Sequence, residues 1–92
     1  MILLINKGDK MHYIYMIECS DGSLYTGYTN NLEKRIKAHN DKKGAKYTRG
    51  RTPVTLKYFE EFDNKVEAMK REAQIKKMCK EKKLELLNNT KI

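Results

Sequence analysis

The chain has 92 residues, with 20 Lys plus Arg against 12 Asp plus Glu, a formal net charge of +8 and a pI of about 9.5. That length organises one hydrophobic core and excludes two, and 39% hydrophobic with 35% charged residues excludes a disordered tail or a fibre. The basic excess points to an acidic substrate or partner.

The opening run Met1-Ile2-Leu3-Leu4-Ile5 gives way to Asn6, Lys7, Gly8, Asp9 and Lys10. A signal peptide needs ~7–15 apolar residues behind a basic stretch and a membrane span ~20, so neither is signalled. With a mean hydropathy of −0.83, a cytoplasmic location is expected. Residues 1–10 read as an N-terminal extension and residues 11–92 as a single domain. Cys19 and Cys79 are isolated, without a CxxC pair, and predict one buried strand thiol and one thiol at a helix end.

His12 to Glu18 is β-branched and aromatic, and Leu24 to Tyr28 repeats that character after Ser20-Asp21-Gly22-Ser23, which predicts a β-hairpin. A two-residue Asp21-Gly22 turn would place Tyr15 and Tyr25 on opposite faces of the sheet. A three-residue loop Ser20-Asp21-Gly22, with Gly22 left-handed, pairs Ile17 with Tyr25 and Tyr15 with Gly27, so that both tyrosines share a face. The second register is the prediction. Asn30 or Asn31 caps a helix running to about Asn40, with Glu33 three residues after Asn30 completing a capping-box pattern. Lys42 to Arg51 reads as a basic loop, and Pro53 opens a third strand, Val54 to Phe62. Asp63 or Asn64 caps a second helix that runs to about Cys79, with Glu67 at cap plus three from Asn64. Leu84, Leu86 and Leu87 suggest a short last helix. The order β-β-α-β-α-α describes an α+β domain with a three-stranded antiparallel sheet flanked by helices.

Polar residues interrupt both helical stripes. Leu32, Arg35, Ile36 and His39 fall at spacings of three and four, so Arg35 and His39 are expected to face the sheet unless Arg35 snorkels along the stripe's edge. On the second helix Ala68, Met69, Ile75 and Cys79 form a stripe with Glu72 inside it. A carboxylate taken out of water costs several kcal/mol unless paired. Glu72 is therefore expected to hold a metal, or to pair with Arg35 or a neighbouring lysine.

Tyr13-Ile14-Tyr15 and Tyr25-Thr26-Gly27, about ten residues apart, followed by Arg35, His39 one helical turn on, and Glu72 after the third strand, resemble the GIY-YIG nuclease superfamily. The resemblance covers Met11 to Leu87. Gly44-Ala45-Lys46-Tyr47-Thr48 with Arg51-Thr52-Pro53 looks most like the small single-domain bacterial branch, and also resembles the catalytic subunit of the eukaryotic nuclease that cuts branched DNA. Tyr13 stands where the family name has Gly, Thr26 where it has Ile, and Tyr28 where the excision-repair branch has a lysine. The lysine's role cannot be carried over.

The resemblance implies a DNA endonuclease that hydrolyses phosphodiester bonds with one divalent cation, Mg²⁺ or Mn²⁺, held by Glu72. Arg35 would bind the phosphate, and Tyr15, with Tyr25 and His39 alongside, would deprotonate or only orient the attacking water. The alternative is a nucleic-acid-binding module of the same fold with little cleavage activity of its own. Either would grip DNA through phosphate contacts from Lys42, Lys43, Lys46, Arg49 and Arg51, a stacking face on Tyr47, and Lys76 and Lys77 on the second helix.

Overall fold

The computed structural model describes residues 11–88; the expected extension at residues 1–10 lies outside them. The order is β1 (His12–Glu18), β2 (Leu24–Thr29), α1 (Leu32–Asn40), β3 (Thr55–Phe62), α2 (Lys65–Lys76) and α3 (Lys80–Asn88), with a 3-10 turn at Lys46–Thr48 inside the basic loop. The strands form the three-stranded antiparallel sheet that the sequence predicts, in the order β2-β1-β3. Central β1 is buried from Tyr13 to Ile17, which its unbroken apolar and aromatic sequence allows.

The three-residue hairpin loop forms. Gly22 has φ +85°, its N–H donates to Cys19 O at 2.9 Å, and Cys19 N–H donates to Ser23 O at 2.8 Å. Asp21 Oδ1 accepts from the Ser23 N–H and hydroxyl, which holds the loop closed. The resulting register sets Tyr15 opposite Gly27 and Ile17 opposite Tyr25. Lys57 bulges out of β3, where the pairing steps from Met16–Tyr58 to Ile17–Leu56.

Period-two alternation sorts the side chains into two cores. Tyr13, Tyr15 and Ile17 pack with Leu32 and Val54 on the face covered by α1, and Ile36 borders them. Ile14 and Met16 pack with Tyr58, Ala68 and Ile75 on the α2 face, where Leu86 and Leu87 of α3 join them. Leu84 is exposed, so the apolar edge of α3 is narrower than its sequence suggests.

Three other expectations need correction. Asn31, not Asn30, caps α1, its side chain accepting from Lys34 N–H at 3.1 Å, and the Asn30–Glu33 box does not form. Thr29 decides this: its hydroxyl bonds both the N–H and the C=O of Asn31 and fixes the chain's entry there. Asn64 does cap α2, accepting from Glu67 N–H at 2.9 Å. That helix ends at Lys76 rather than near Cys79, because Lys77 and Met78 turn back in i→i−3 bonds to Gln74 and Ile75, which leaves Cys79 exposed. Met69 is also exposed, lying one residue and so about 100° around the helix from buried Ala68.

Candidate active site

β1 delivers Tyr15 to the α1 face, and Gly27 on the edge strand β2 leaves the space its ring occupies. A Cβ built on Gly27 would stand 2.5 Å from the Tyr15 hydroxyl oxygen. The hydroxyl therefore lies over β2, at the margin of the sheet. From above, α1 presents Arg35 and His39 on one face, as their four-residue spacing dictates. Arg35 Nε donates to Tyr15 Oη at 3.3 Å, and His39 Nε2 lies 2.8 Å from the same oxygen. Tyr25 completes the aromatic wall: His39 meets Tyr15 and Tyr25 edge to face, with centroids 5.8 and 5.6 Å away. Tyr15 and His39 are almost wholly buried. Among the described residues no hydrogen bond takes the two terminal amino groups of Arg35, which leaves its fork of donors for a ligand.

Glu72 comes from the helix on the other face of the sheet, and its negative charge is the smallest of the influences that raise the Tyr15 pKa. Its side chain is only 14% exposed and is paired with Lys76 at 3.2 Å, one turn along α2. Of the partners considered from sequence, a neighbouring lysine is the one that neutralises it; Arg35 points to Tyr15 instead.

Burial raises the Tyr15 pKa above its ordinary value of 10.0; the bond and charge of Arg35 oppose this, while Tyr25 and Glu72 add to it. The positive charge that would make a phenolate at neutral pH is therefore present but outweighed. Burial and the charge of Arg35 together lower His39 from 6.5 to about 4. The folded chain refuses a proton that the unfolded chain accepts, so this contribution is full above pH 6.5 and is lost as pH falls toward 4. The urea midpoint of the wild type is expected to decline between about pH 7 and pH 5, and that of His39→Gln to decline less. Parallel slopes would assign the loss to other groups.

The basic loop is anchored at both ends. Asn40 uses its side-chain amide to bond both N–H and C=O of Val54, at 2.7 and 3.2 Å. Arg51 C=O accepts from Ser20 N–H, and its guanidinium pairs with Asp21 at 3.0 Å and donates to Tyr47 C=O. Arg51 also covers the Tyr47 ring at 4.0 Å, while Tyr47 stacks on Tyr25 with centroids 5.9 Å apart. Arg51 thus clamps the loop to the hairpin, and the Tyr47 ring is engaged by both Arg51 and Tyr25. Lys42, Lys43, Lys46, Arg49 and Lys77 are exposed, and Lys76 is held by Glu72.

Thr48, which stands in the sequence only as part of a family-like segment, is a residue to which the sequence assigns no role. It is fully buried, and its hydroxyl lies 2.8 Å from His39 Nδ1. Gly44 is a second, since a Cβ there would fall 2.4 Å from the same nitrogen.

Residues 11–85 match the family model of the GIY-YIG catalytic domain. The chain belongs to the GIY-YIG family. This GIY-YIG chain is 61% identical over 82 residues to a UPF0213 protein of Clostridium perfringens, covering 89% of this chain and 88% of that one. A UPF0213 protein of Halobacterium salinarum is 58% identical, covering 79% and 95%. The solution structure of a UPF0213 protein from Bacillus halodurans superposes with a TM-score of 0.59 at 48% identity, covering 87% of this chain and 85% of that one. The motif residues Tyr15, Tyr25, Arg35 and His39 thus meet at one edge of a GIY-YIG fold, while Glu72 lies on the helix across the sheet, paired with Lys76.

Proposed function

We propose that this GIY-YIG protein is a metal-dependent DNA endonuclease that hydrolyses phosphodiester bonds, with a preference for branched, flapped or single-stranded DNA, and that it acts in repair or recombination. The observation that carries the reading is the convergence of Arg35, Tyr15 and His39 on one hydroxyl oxygen, with the charge of Glu72 acting on the same tyrosine. Chain segments separated by up to 57 positions supply these groups, which argues for a built site rather than ordinary strand packing.

The terminal amino groups of Arg35 would donate to non-bridging phosphate oxygens, in the bidentate geometry that an ammonium lacks. Their charge would oppose the negative charge that accumulates as water attacks. Tyr15 would hold the water for attack, and Tyr25 with the buried His39 would keep bulk solvent off the phenol. The exposed lysines of the loop would grip flanking phosphates without reading sequence.

Among the described residues no group of three or more His, Cys, Asp or Glu could cage a metal. A single sheltered carboxylate nevertheless fits Mg²⁺ or Mn²⁺, since Mg²⁺ binds through one or two carboxylates, water and substrate phosphates. Glu72 would hold that ion, and the ion would neutralise phosphate charge and polarise the phosphoryl group. The Lys76 ammonium would be displaced to bind it.

The occupied Glu72–Lys76 pair and the protonated, buried Tyr15 also favour a second reading, a DNA-binding module that cuts poorly without a partner. Pure protein incubated with branched, flapped and single-stranded DNA, in Mg²⁺, in Mn²⁺ and in chelator, separates the two. Metal-dependent cleavage that falls at least about tenfold in Glu72→Gln, with DNA binding kept, supports the enzyme. Binding without cleavage under every condition leaves the module.

A further inference from the structure

The hydrogen bonds below His39 favour one direction for the protons between Tyr15 and Ala45. Thr48 Oγ1 lies 3.0 Å from Ala45 O, which can only accept, so the threonine proton points there. Its oxygen is then the acceptor for His39 Nδ1 at 2.8 Å, so that nitrogen carries the ring proton. His39 Nε2 is left as an acceptor, and the Tyr15 hydroxyl must donate to it at 2.8 Å. One of the two lone pairs of the Tyr15 oxygen takes the N–H of Arg35, which leaves the other for a water. One polarised chain results, Arg35 to Tyr15 to His39 to Thr48 to Ala45, with a proton in each contact. Reversing the ring would place two oxygen lone pairs 3.0 Å apart at Ala45. It would also leave the buried Tyr15 proton with no acceptor among the described residues.

The ring is also built in sterically. Gly44 has no Cβ because His39 Nδ1 occupies that space, and Thr48 approaches from the 3-10 turn that the same loop forms. The Gly44-to-Thr48 segment therefore serves the buried histidine as well as exposing Lys46.

We propose that Thr48 is a positioning residue that holds His39 in its Nδ1–H tautomer, so that Nε2 receives the Tyr15 proton while Tyr15 takes one from the attacking water. This rests on the nuclease reading above. In the step, the water oxygen bonds to phosphorus while the bond from phosphorus to the leaving sugar oxygen breaks with its electron pair. The water proton passes to Tyr15 Oη, the Tyr15 proton passes to His39 Nε2, and the leaving oxygen takes a proton from solvent. His39 holds this proton only transiently, because burial and the charge of Arg35 disfavour the imidazolium, and returns it through Tyr15 after the product departs. The relay lets a phenol act as a base without being a phenolate beforehand, which matters because burial keeps Tyr15 protonated in the free protein.

The test compares wild type, Thr48→Val, which keeps the shape and removes the hydroxyl, and Thr48→Ser, which restores a hydroxyl. Two-bond nitrogen–proton correlation spectra of ¹⁵N-histidine-labelled protein report the His39 tautomer without substrate. Wild type and Thr48→Ser are expected to show the Nδ1–H ring, and Thr48→Val a ring shifted toward Nε2–H. Its kcat for DNA cleavage is expected to fall about 10- to 100-fold, with KM within about twofold and near-wild-type rates in Thr48→Ser. An Nε2–H ring in the wild type, read without any variant, or an Nδ1–H ring that persists in Thr48→Val, overturns the proposal. An Nδ1–H ring in a protein that cuts no DNA overturns the nuclease reading instead, so the two failures are distinguishable.

Discussion

Tyr15→Phe is expected to lower kcat for DNA cleavage by about 10²- to 10⁴-fold while leaving DNA affinity within about twofold, because the substitution removes one buried oxygen and no surface charge. That oxygen is the acceptor for Arg35 Nε and the donor to His39 Nε2. Its loss leaves the guanidinium without the contact that aims it and the imidazole without the proton it holds in place. Leaving buried groups unpaired costs about 1–3 kcal/mol, so a lower urea midpoint should accompany the loss of rate. Single-turnover cleavage at saturating DNA, beside a binding titration, separates these effects. A variant that cuts at the wild-type rate would remove Tyr15 from the chemistry and leave it as packing.

The strands and helices are legible in the sequence because local pattern and tertiary demand agree. The register of β1 on β2 follows from a three-residue loop whose glycine takes φ +85°, and that register places Tyr15 over Gly27. Arg35, His39 and Glu72 stand out as polar groups inside apolar stripes, and each proves to be sheltered by partners. The identity of those partners is a different matter. Lys76 lies within reach of Glu72 by local spacing, one turn along α2, but whether Arg35 also does depends on which face of the sheet each helix covers.

The loop after α1 shows the limit more sharply. Gly44 lies shortly after α1, where glycine commonly follows a helix C-cap. The stop is actually made by Lys42, which adopts φ +64°, with Lys42 N–H bonded to His39 O and Lys43 N–H to Ala38 O. Gly44 is required instead by the imidazole ring beside it. Thr48 sits among lysines and arginines and reads as part of a solvated basic loop. It is buried in a loop whose ends Asn40 and Arg51 tie to Val54 and to the hairpin. Arg51 likewise has the composition of a phosphate contact and the geometry of a clamp.

Gly27→Ala is expected to cut kcat about 10²-fold, because displacing a catalytic group by about 1 Å has that scale of effect. The added methyl would lie 2.5 Å from Tyr15 Oη and 2.7 Å from Cζ, closer than real carbon contacts, on a ring that is almost wholly buried. Either the ring swings away from Arg35 and His39 or β2 moves outward. Overpacking of this kind costs about 1–3 kcal/mol. Glycine is needed here for the volume above its α-carbon and not for its backbone freedom. A double-mutant cycle distinguishes this account from direct contact between Gly27 and DNA. If the methyl acts only by displacing the Tyr15 hydroxyl, then Gly27→Ala adds little further loss of rate once Tyr15 is already Phe. Losses that multiply in the double variant would mean that Gly27 acts on the substrate itself, and the edge of β2 would then be part of the DNA path rather than only the floor beneath the tyrosine.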